Sequence, residues 1–273
     1  MGKKTILTYD VSWDEFVADM EKEPNKCWKY PESVEGDEGF TGSKNFDEAK
    51  QHMVCGWDKG RDAMAADVEF AKGKEDTFKR ETWEYSVAGQ RACIPSYCAG
   101  VPAHMVYMDD QSERNAVPIV KIWVDVAASW NVSAEAMIRK GAAVVALVDQ
   151  IESSGQRVEL VAKAYTDMQD NEILDVRVMV KAAEEQLDMD RLAYAVAHPS
   201  MLRRSLFRVT EFMMHRRVSG YGRVRSDIKV PANTMYIKPM LDDDGYRTMD
   251  EALETVRSHW DQMAARGESS DAA

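Results

Sequence analysis

The sequence predicts an α/β fold in which helices flank a mixed β-sheet. Four neighbouring patterns lead to this prediction. An almost unbroken apolar run at 119–126 is typical of a strand that is buried on both faces. A helical apolar pattern follows at 133–155, and a second strand pattern follows at 157–165. A third strand pattern, at 173–181, comes after a short polar turn.

The connections between these patterns define the order and direction of the strands. Ser133 can cap the amino end of the helix, and Gly155 suits its carboxyl end. A strand–helix–strand unit of this length forms a right-handed crossover, so the first two strands should be parallel. The turn at 166–171 is too short for another crossover, so the third strand should return antiparallel as a hairpin. Three charged residues of that strand suit an exposed sheet edge: Asp175, Arg177 and Lys181.

The region before this unit, residues 1–117, is predicted to be mainly helical and rich in loops. Ser12 and Glu15 have the spacing of a capping box at the start of a first helix. Ser43 or Asn45 begins a second helix, whose apolar residues recur at helical spacing. Residues 1–117 are therefore expected to form an extension to the α/β domain.

The α/β domain itself is expected to span residues 118–266. After the hairpin it should continue with a helical region, a fourth strand at 234–240 and a final amphipathic helix at 249–265. The tail, residues 267–273, is small and polar and is expected to be disordered.

The overall composition is that of a globular protein with an acidic surface. Hydrophobic residues make up 45% of the 273 residues, and the net charge is −12. This balance does not favour general binding to nucleic acid or to an anionic membrane. The four cysteines are too sparse for a disulfide framework. No apolar run reaches the roughly 18 residues of a membrane span. We therefore expect a cytoplasmic protein with reduced thiols and no membrane partner.

The predicted order of elements over 118–266 is strand, helix, antiparallel hairpin, helix, strand and helix. This order resembles the von Willebrand factor A (vWA) fold, a Rossmann-like fold whose second and third strands form such a hairpin. In that family the first strand ends in a metal-binding Asp-x-Ser-x-Ser motif. Here the residues at 125–129 read Asp-Val-Ala-Ala-Ser. Asp125 and Ser129 match the motif, whereas Ala127 stands where a hydroxyl ligand belongs.

The resemblance implies a magnesium site that has lost one ligand. Mg²⁺ requires several hard oxygen ligands in octahedral geometry, and loops at the carboxyl ends of parallel strands bring such ligands together. Asp125 and Ser129 would supply two of them, and a water could replace the missing hydroxyl. Asp188 and Asp190 are candidates for a later ligand by their position. The alternative is a structural role for Asp125, in which it orders the loop or caps the following helix.

Several stretches also resemble an uncharacterised family of bacteriophage proteins. The resemblance is carried by Val-Asp-Val-Ala-Ala-Ser-Trp at 124–130 and by the segments 139–149 and 155–160; upstream, 98–105 and 40–43 with Gly56-Trp57 are also similar. This resemblance implies a phage origin, and with it the host cytoplasm as the place of action. It implies no activity.

One segment has a charge opposite to that of the whole chain. Residues 201–230 contain eight basic and two acidic residues, a net charge of +6. Arginine forms bidentate contacts with phosphate, so nucleic acid or a nucleotide phosphate is one predicted ligand. The candidate arginines are Arg203, Arg204, Arg208, Arg216, Arg217, Arg223 and Arg225. Alternatively, the segment pairs with acidic residues of the same chain or of a second copy in a homo-oligomer.

The sequence favours a binding function over catalysis. It contains neither the Gly-rich motif of a phosphate-binding loop nor a Gly-x-Ser-x-Gly nucleophile turn. The leading hypothesis is a non-enzymatic, vWA-like module that binds a protein or a nucleoprotein at the loop 125–131. The rival is a metal-dependent nuclease or phosphohydrolase that uses Asp125 with Asp188 or Asp190 and holds phosphates through 203–229. A third hypothesis makes 203–229 a non-catalytic nucleic-acid contact.

Overall fold

The computed structural model describes two sheets. Its described residues are 5–57, 84–86, 91–92, 94–102, 105–107, 119–153, 155–167, 172–215, 228–231 and 233–270. The strands are β1 (Thr5–Ser12), β2 (Glu84–Ser86), β3 (Arg91–Ala92), β4 (Met105–Tyr107), β5 (Ile119–Asp125), β6 (Arg157–Asp167), β7 (Glu172–Lys181) and β8 (Thr234–Ile237). The main sheet has the order β1–β7–β6–β5–β8, and the smaller sheet has the order β2–β4–β3.

Helices flank the main sheet. The helices of the described residues are α1 (Trp13–Asp19), α2 (Glu38–Thr41), α3 (Phe46–Cys55), α4 (Ile94–Cys98), α5 (Ala134–Ser153), α6 (Met189–Ala197), α7 (Phe207–Met213) and α8 (Met249–Ser270). A π-helical segment, Met201–Leu206, leads directly into α7. Helix α8 continues past the predicted end at Ala265 and includes part of the predicted tail, whose last residues, 271–273, lie outside the described residues.

The predicted strand–helix–hairpin unit is confirmed. Strand β6 runs parallel to β5, and β7 returns antiparallel along β6, because the turn between them is too short for a crossover. Strand β8 adds in parallel on the other side of β5, although it is shorter than the predicted 234–240. The sheet is therefore mostly parallel with one antiparallel pair.

The prediction that the third strand of the unit lies at the sheet edge is wrong. Strand β1 pairs in parallel with the whole length of β7, from Thr5 opposite Glu172 to Ser12 opposite Met179. The charged residues that suggested an edge have partners within the sheet instead. For example, Lys181 Nζ donates to Val158 O at 3.1 Å. Residues predicted to belong to a helical extension thus contribute a strand to the main sheet.

The prediction that β5 is buried on both faces is also wrong. Val120, Ile122 and Val124 are buried in the main hydrophobic core, together with side chains of α5 and α6. On the other face, Ile119 is 51% exposed and Trp123 is half-buried. Apolar composition reports which side chains tolerate burial, whereas the packing of neighbouring elements decides which of them are covered.

Local signals at the helix ends are confirmed. Ser12 and Glu15 form the predicted capping box of α1. Asn45 caps α3, and Ser133 Oγ accepts from the backbone N–H of Ala136 in the first turn of α5. Gly155, just after α5, has a φ of 87°, the left-handed conformation that suits a helix end.

Helices α5 and α6 pack closely at a glycine. A Cβ added to Gly141 would stand 2.5 Å from Ala197 Cα, which is far inside van der Waals contact. The absence of a side chain at Gly141 therefore permits the two helices to touch at this point. The contact positions the carboxyl end of α6, and with it the π-helical segment that carries two of the predicted arginines.

Candidate functional site

The loops that follow β5 and β8 meet at the carboxyl edge of the parallel strands. Ser129 N donates to Met240 O at 2.9 Å, and Met240 N donates to Ala127 O at 3.0 Å. These two bonds join the loop 126–133 to the loop 238–248. In an open α/β sheet this edge is where ligands commonly bind, and it is the edge that the sequence predicted as the functional place.

Asp125 ends β5 and is completely buried. Its Oδ1 accepts from Ala127 N at 2.9 Å, and its Oδ2 accepts from Tyr236 OH at 2.7 Å. Burial raises the pKa of Asp125 to about 6, although the hydrogen bonds from Tyr236 and Ala127 favour the ionised form. Both carboxylate oxygens thus accept hydrogen bonds from protein groups, and the bond from Ala127 N to Oδ1 orders the turn that begins the loop.

The structure separates the acidic residues that the sequence grouped around a metal ion. Strand β7 ends at Lys181, which lies opposite Leu160 near the beginning of β6. Asp188 and Asp190 follow that end and begin α6, with Asp188 as its N-cap. They therefore lie at the opposite edge of the sheet from Asp125 and cannot share an ion with it.

No group of three or more His, Cys, Asp or Glu side chains that could hold a metal ion occurs within the described residues. Ser129 contributes its backbone N–H to the bond with Met240 and remains the second candidate ligand by sequence. Magnesium binding at Asp125 and Ser129 stays a prediction.

Lys140 is a buried residue of this edge that the sequence patterns missed. Its Nζ donates to Asp125 O at 2.6 Å and to Lys238 O at 2.8 Å, so one ammonium group ties the ends of β5 and β8 together. Burial lowers the pKa of Lys140 to about 8, against the opposing effect of the nearby Asp125 carboxylate. A lysine within the apolar stripe of α5 was the available sequence signal.

A second polar cluster lies beside Asp125 on the sheet. Lys163 is fully buried, with its Nζ 3.3 Å from Asp175 Oδ1 and 4.0 Å from the centroid of the Trp123 ring. Arg177 donates to Asp175 Oδ2 from Nε at 3.0 Å and from Nη2 at 2.7 Å. Burial lowers the pKa of Lys163, and the Asp175 carboxylate partly opposes this. The cluster links β5, β6 and β7 by cross-strand contacts.

The structure buries the first three of the predicted phosphate-binding arginines. Arg203, at the carboxyl edge, is 2% exposed. Its Nη1 donates to Phe40 O at 2.7 Å, and its Nη2 donates to Val132 O at 3.1 Å and to Ser129 O at 3.4 Å. One guanidinium group therefore connects the loop after β5 to the segment around α2.

Arg204 has no exposed surface and binds the segment 31–43. It donates to Ser43 Oγ at 2.8 Å, to Ser43 O at 2.9 Å, to Thr41 Oγ1 at 3.0 Å and to Ser33 O at 3.1 Å. Two longer bonds reach Glu35 O and Gly36 O, both at 3.4 Å. This arginine thus supplies hydrogen-bond donors to the inner side of an irregular segment whose outer residues, 34–40, are exposed.

Arg208 continues the same row of buried arginines. Its Nε donates to Ser33 Oγ at 3.0 Å and lies 3.6 Å from Glu211 Oε2, while its Nη1 donates to Lys22 O at 3.1 Å. A phosphate could reach Arg203, Arg204 or Arg208 only if these contacts broke, so their burial corrects the prediction that they form a phosphate-binding face. The other four arginines, Arg216, Arg217, Arg223 and Arg225, lie outside the described residues, and for them phosphate binding stays a prediction.

Large apolar side chains are exposed where the three segments meet. Trp130 is 84% exposed, Leu241 is 64% exposed and Phe40 is 37% exposed. We call residues 34–41, 128–132 and 240–244 the three-loop surface. Arg203 joins the first segment to the second, and the backbone bonds of Met240 join the second to the third, so the surface is continuous.

A family model described as "Domain of unknown function (DUF7192)" matches residues 3–261 of the chain. The chain belongs to the DUF7192 family. The match includes both the predicted N-terminal region and the predicted α/β domain, as expected for residues that share one sheet. Comparison with curated proteins found no match, and comparison with solved structures found none either. Among the described residues of this DUF7192 protein, the helices are too short or too polar to cross a membrane.

Proposed function

We propose that this DUF7192 protein is a non-enzymatic binding module that engages a protein or nucleoprotein partner through the three-loop surface. The observation that carries the proposal is Trp130, an indole with 84% of its surface exposed at the carboxyl edge of the sheet. Tryptophan is strongly enriched among the residues that dominate the energy of protein interfaces. An indole exposed to this extent buries a large apolar area when a partner covers it.

The loop that carries Trp130 is held on both sides. Before the indole, Ser129 N donates to Met240 O and Ser129 O accepts from Arg203. After it, Val132 O accepts from the same guanidinium, and Val132 N donates to Ser129 O at 3.1 Å. A loop that is already ordered loses less conformational entropy on binding, which favours its use as a recognition element.

The neighbouring loop is equally fixed. Asp243 Oδ1 accepts from Ser133 N at 2.9 Å, and Arg139 Nε donates to Tyr246 O at 2.6 Å. Leu241 is therefore presented next to Trp130 from a loop that α5 holds in place. Trp130 and Leu241 are thus exposed on two loops that backbone hydrogen bonds join, and this arrangement supports a contact surface for a protein partner.

The proposal includes the vWA-like and phage-related assignments from the sequence. The order β7–β6–β5–β8, with its single antiparallel pair, supports a vWA-like arrangement in which β1 is an additional strand. A binding module of this kind would act in the cytoplasm, and in the host cytoplasm if the chain is phage-encoded. Asp125 is buried, and each of its carboxylate oxygens already accepts a hydrogen bond from a protein group. This supports a binding function without a metal-dependent reaction.

A capture experiment with matched variants tests the proposal. Trp130→Ala removes the exposed indole, and Val54→Ala removes part of a comparably exposed side chain on α3, 66% exposed and away from the three-loop surface. We expect specific partners to be captured by the wild type and by Val54→Ala and to be lost with Trp130→Ala, while circular dichroism shows that all three are folded. Equal capture by all three proteins would contradict the proposal.

A further inference from the structure

We infer that the segment recognised by the three-loop surface is basic and amphipathic, with an apolar side chain flanked by lysine or arginine. This inference rests on the proposed function, because it names the chemistry of the partner at the same site. It is carried by the distribution of charge around Trp130 and Leu241.

Carboxylates border the apolar patch on the side of the loop after β8. Asp242 and Asp244 are exposed, and Asp243 between them is half-buried. The loop is shaped by its own hydrogen bonds, since Asp242 Oδ1 accepts from Asp244 N at 2.9 Å. Asp244 also forms an ion pair with Arg247, which neutralises one of these charges.

Carboxylates also border the patch on the side of α2. Glu35, Asp37 and Glu38 are exposed and surround Phe40 in the sequence. Asp37 Oδ1 accepts from the backbone N–H of Phe40 at 2.8 Å, so this carboxylate caps the short helix that carries Phe40. The Phe40 ring packs on Arg203, whose guanidinium carbon lies 4.0 Å from the ring centroid.

The local charge balance on this surface is negative. Lys238 and Arg247 are the exposed basic residues in the loop after β8, and Arg203 and Arg139 add two positive charges that are less exposed. The acidic residues on both sides of the patch therefore outnumber the exposed basic ones within the described residues. Complementary charges speed association and suppress binding of partners with the wrong sign.

Peptides that differ only in charge test the inference. Three synthetic helical peptides share one pattern of leucines and carry lysine, glutamine or glutamate at their polar positions. Binding of each labelled peptide is measured by fluorescence anisotropy at low and at moderate salt. We expect the lysine peptide to bind about tenfold more tightly than the glutamine peptide and to weaken as salt increases. The glutamate peptide should bind most weakly.

Two paired variants locate the charge effect. Asp242→Asn with Asp244→Asn should weaken binding of the lysine peptide roughly fivefold, because two bordering charges are removed. Asp14→Asn with Glu184→Gln removes the same formal charge from exposed positions at the opposite edge of the sheet and should leave binding unchanged. A loss of equal size in both pairs would mean that only the net charge of the chain matters, and this would overturn the inference.

Trp130→Ala separates failure of the inference from failure of the proposed function. If the glutamine or glutamate peptide binds as tightly as the lysine peptide and Trp130→Ala abolishes that binding, the surface is a binding site but its partner is not basic. If no peptide shows binding that depends on Trp130, the proposed site fails together with the inference. Trp130-dependent binding that favours the lysine peptide supports both.

Discussion

Replacement of Arg204 tests whether the arginine-rich segment is structural. Arg204→Met keeps a long side chain that fills similar space, but it removes the charge and every donor. The residues that lose hydrogen bonds lie in the segment 31–43, which is more than 160 residues away in sequence. The change in stability therefore reports how strongly this distant segment is held to the π-helical segment Met201–Leu206, which carries Arg204.

The magnitude follows from the hydrogen bonds. Four of the bonds made by Arg204 are 3.1 Å or shorter, and their acceptors are Ser33 O, Thr41 Oγ1, Ser43 O and Ser43 Oγ. At roughly 1 kcal/mol for each lost bond, Arg204→Met should lower the free energy of unfolding by about 4 kcal/mol. Arg204→Lys keeps one charged group with fewer directed donors, so its loss should be about half as large.

Urea unfolding followed by circular dichroism measures these differences. Arg157→Met is a matched control, because Arg157 is exposed at the start of β6 and its replacement should change the free energy of unfolding by less than about 0.5 kcal/mol. We also expect faster proteolysis within 31–43 in the folded Arg204→Met protein. If Arg204→Met unfolds within about 1 kcal/mol of the wild type, the structural role assigned to the buried guanidinium is refuted.

Three further substitutions test separate parts of the structure. Burial raises the pKa of Asp125 from 3.8 to about 6, so the wild type should lose about 3 kcal/mol of stability as pH rises from 4 through 6. Asp125→Asn should remove this dependence. If the variant and the wild type show the same pH profile of stability, this expectation is contradicted. Gly141→Ala should destabilise the protein by about 2 kcal/mol in urea unfolding despite better helix propensity, and Ala197→Gly should rescue it only in part because the backbone of Ala197 remains in the way. Ser12→Ala should cost about 1 kcal/mol in the same assay, since the capping box with Glu15 is lost; a smaller loss than in Glu15→Ala would weaken that explanation.

The strand–helix–hairpin unit could be predicted because each of its signals is local. The apolar runs of β5 and β6, the cap at Ser133 and the glycine at Gly155 all act on residues close to them in sequence. The short turn before β7 excludes a crossover whatever the rest of the chain does. The candidate edge of the sheet followed from the same reasoning, because parallel strands place their following loops side by side.

The buried arginines show why a local sequence pattern could not predict their role. A cluster of arginines in sequence is equally compatible with an exposed phosphate-binding face and with a buried row of hydrogen-bond donors. The segment around α2 is irregular, and the carbonyl groups on its inner side find their hydrogen-bond donors in Arg203 and Arg204. Nothing in the residues near position 203 carries information about the segment 31–43.

The sequence by itself determined the α/β class, the parallel and antiparallel directions of β5, β6 and β7, and the caps of the helices, since these depend on periodicity, turn length and neighbouring side chains. Only the tertiary structure decided that β1 covers β7, that Lys140 joins the ends of β5 and β8, and that Trp130 stands exposed on a fixed loop. Each of these depends on contacts between residues far apart in the chain. Such contacts form only when the whole fold brings them together, so no local pattern can specify them.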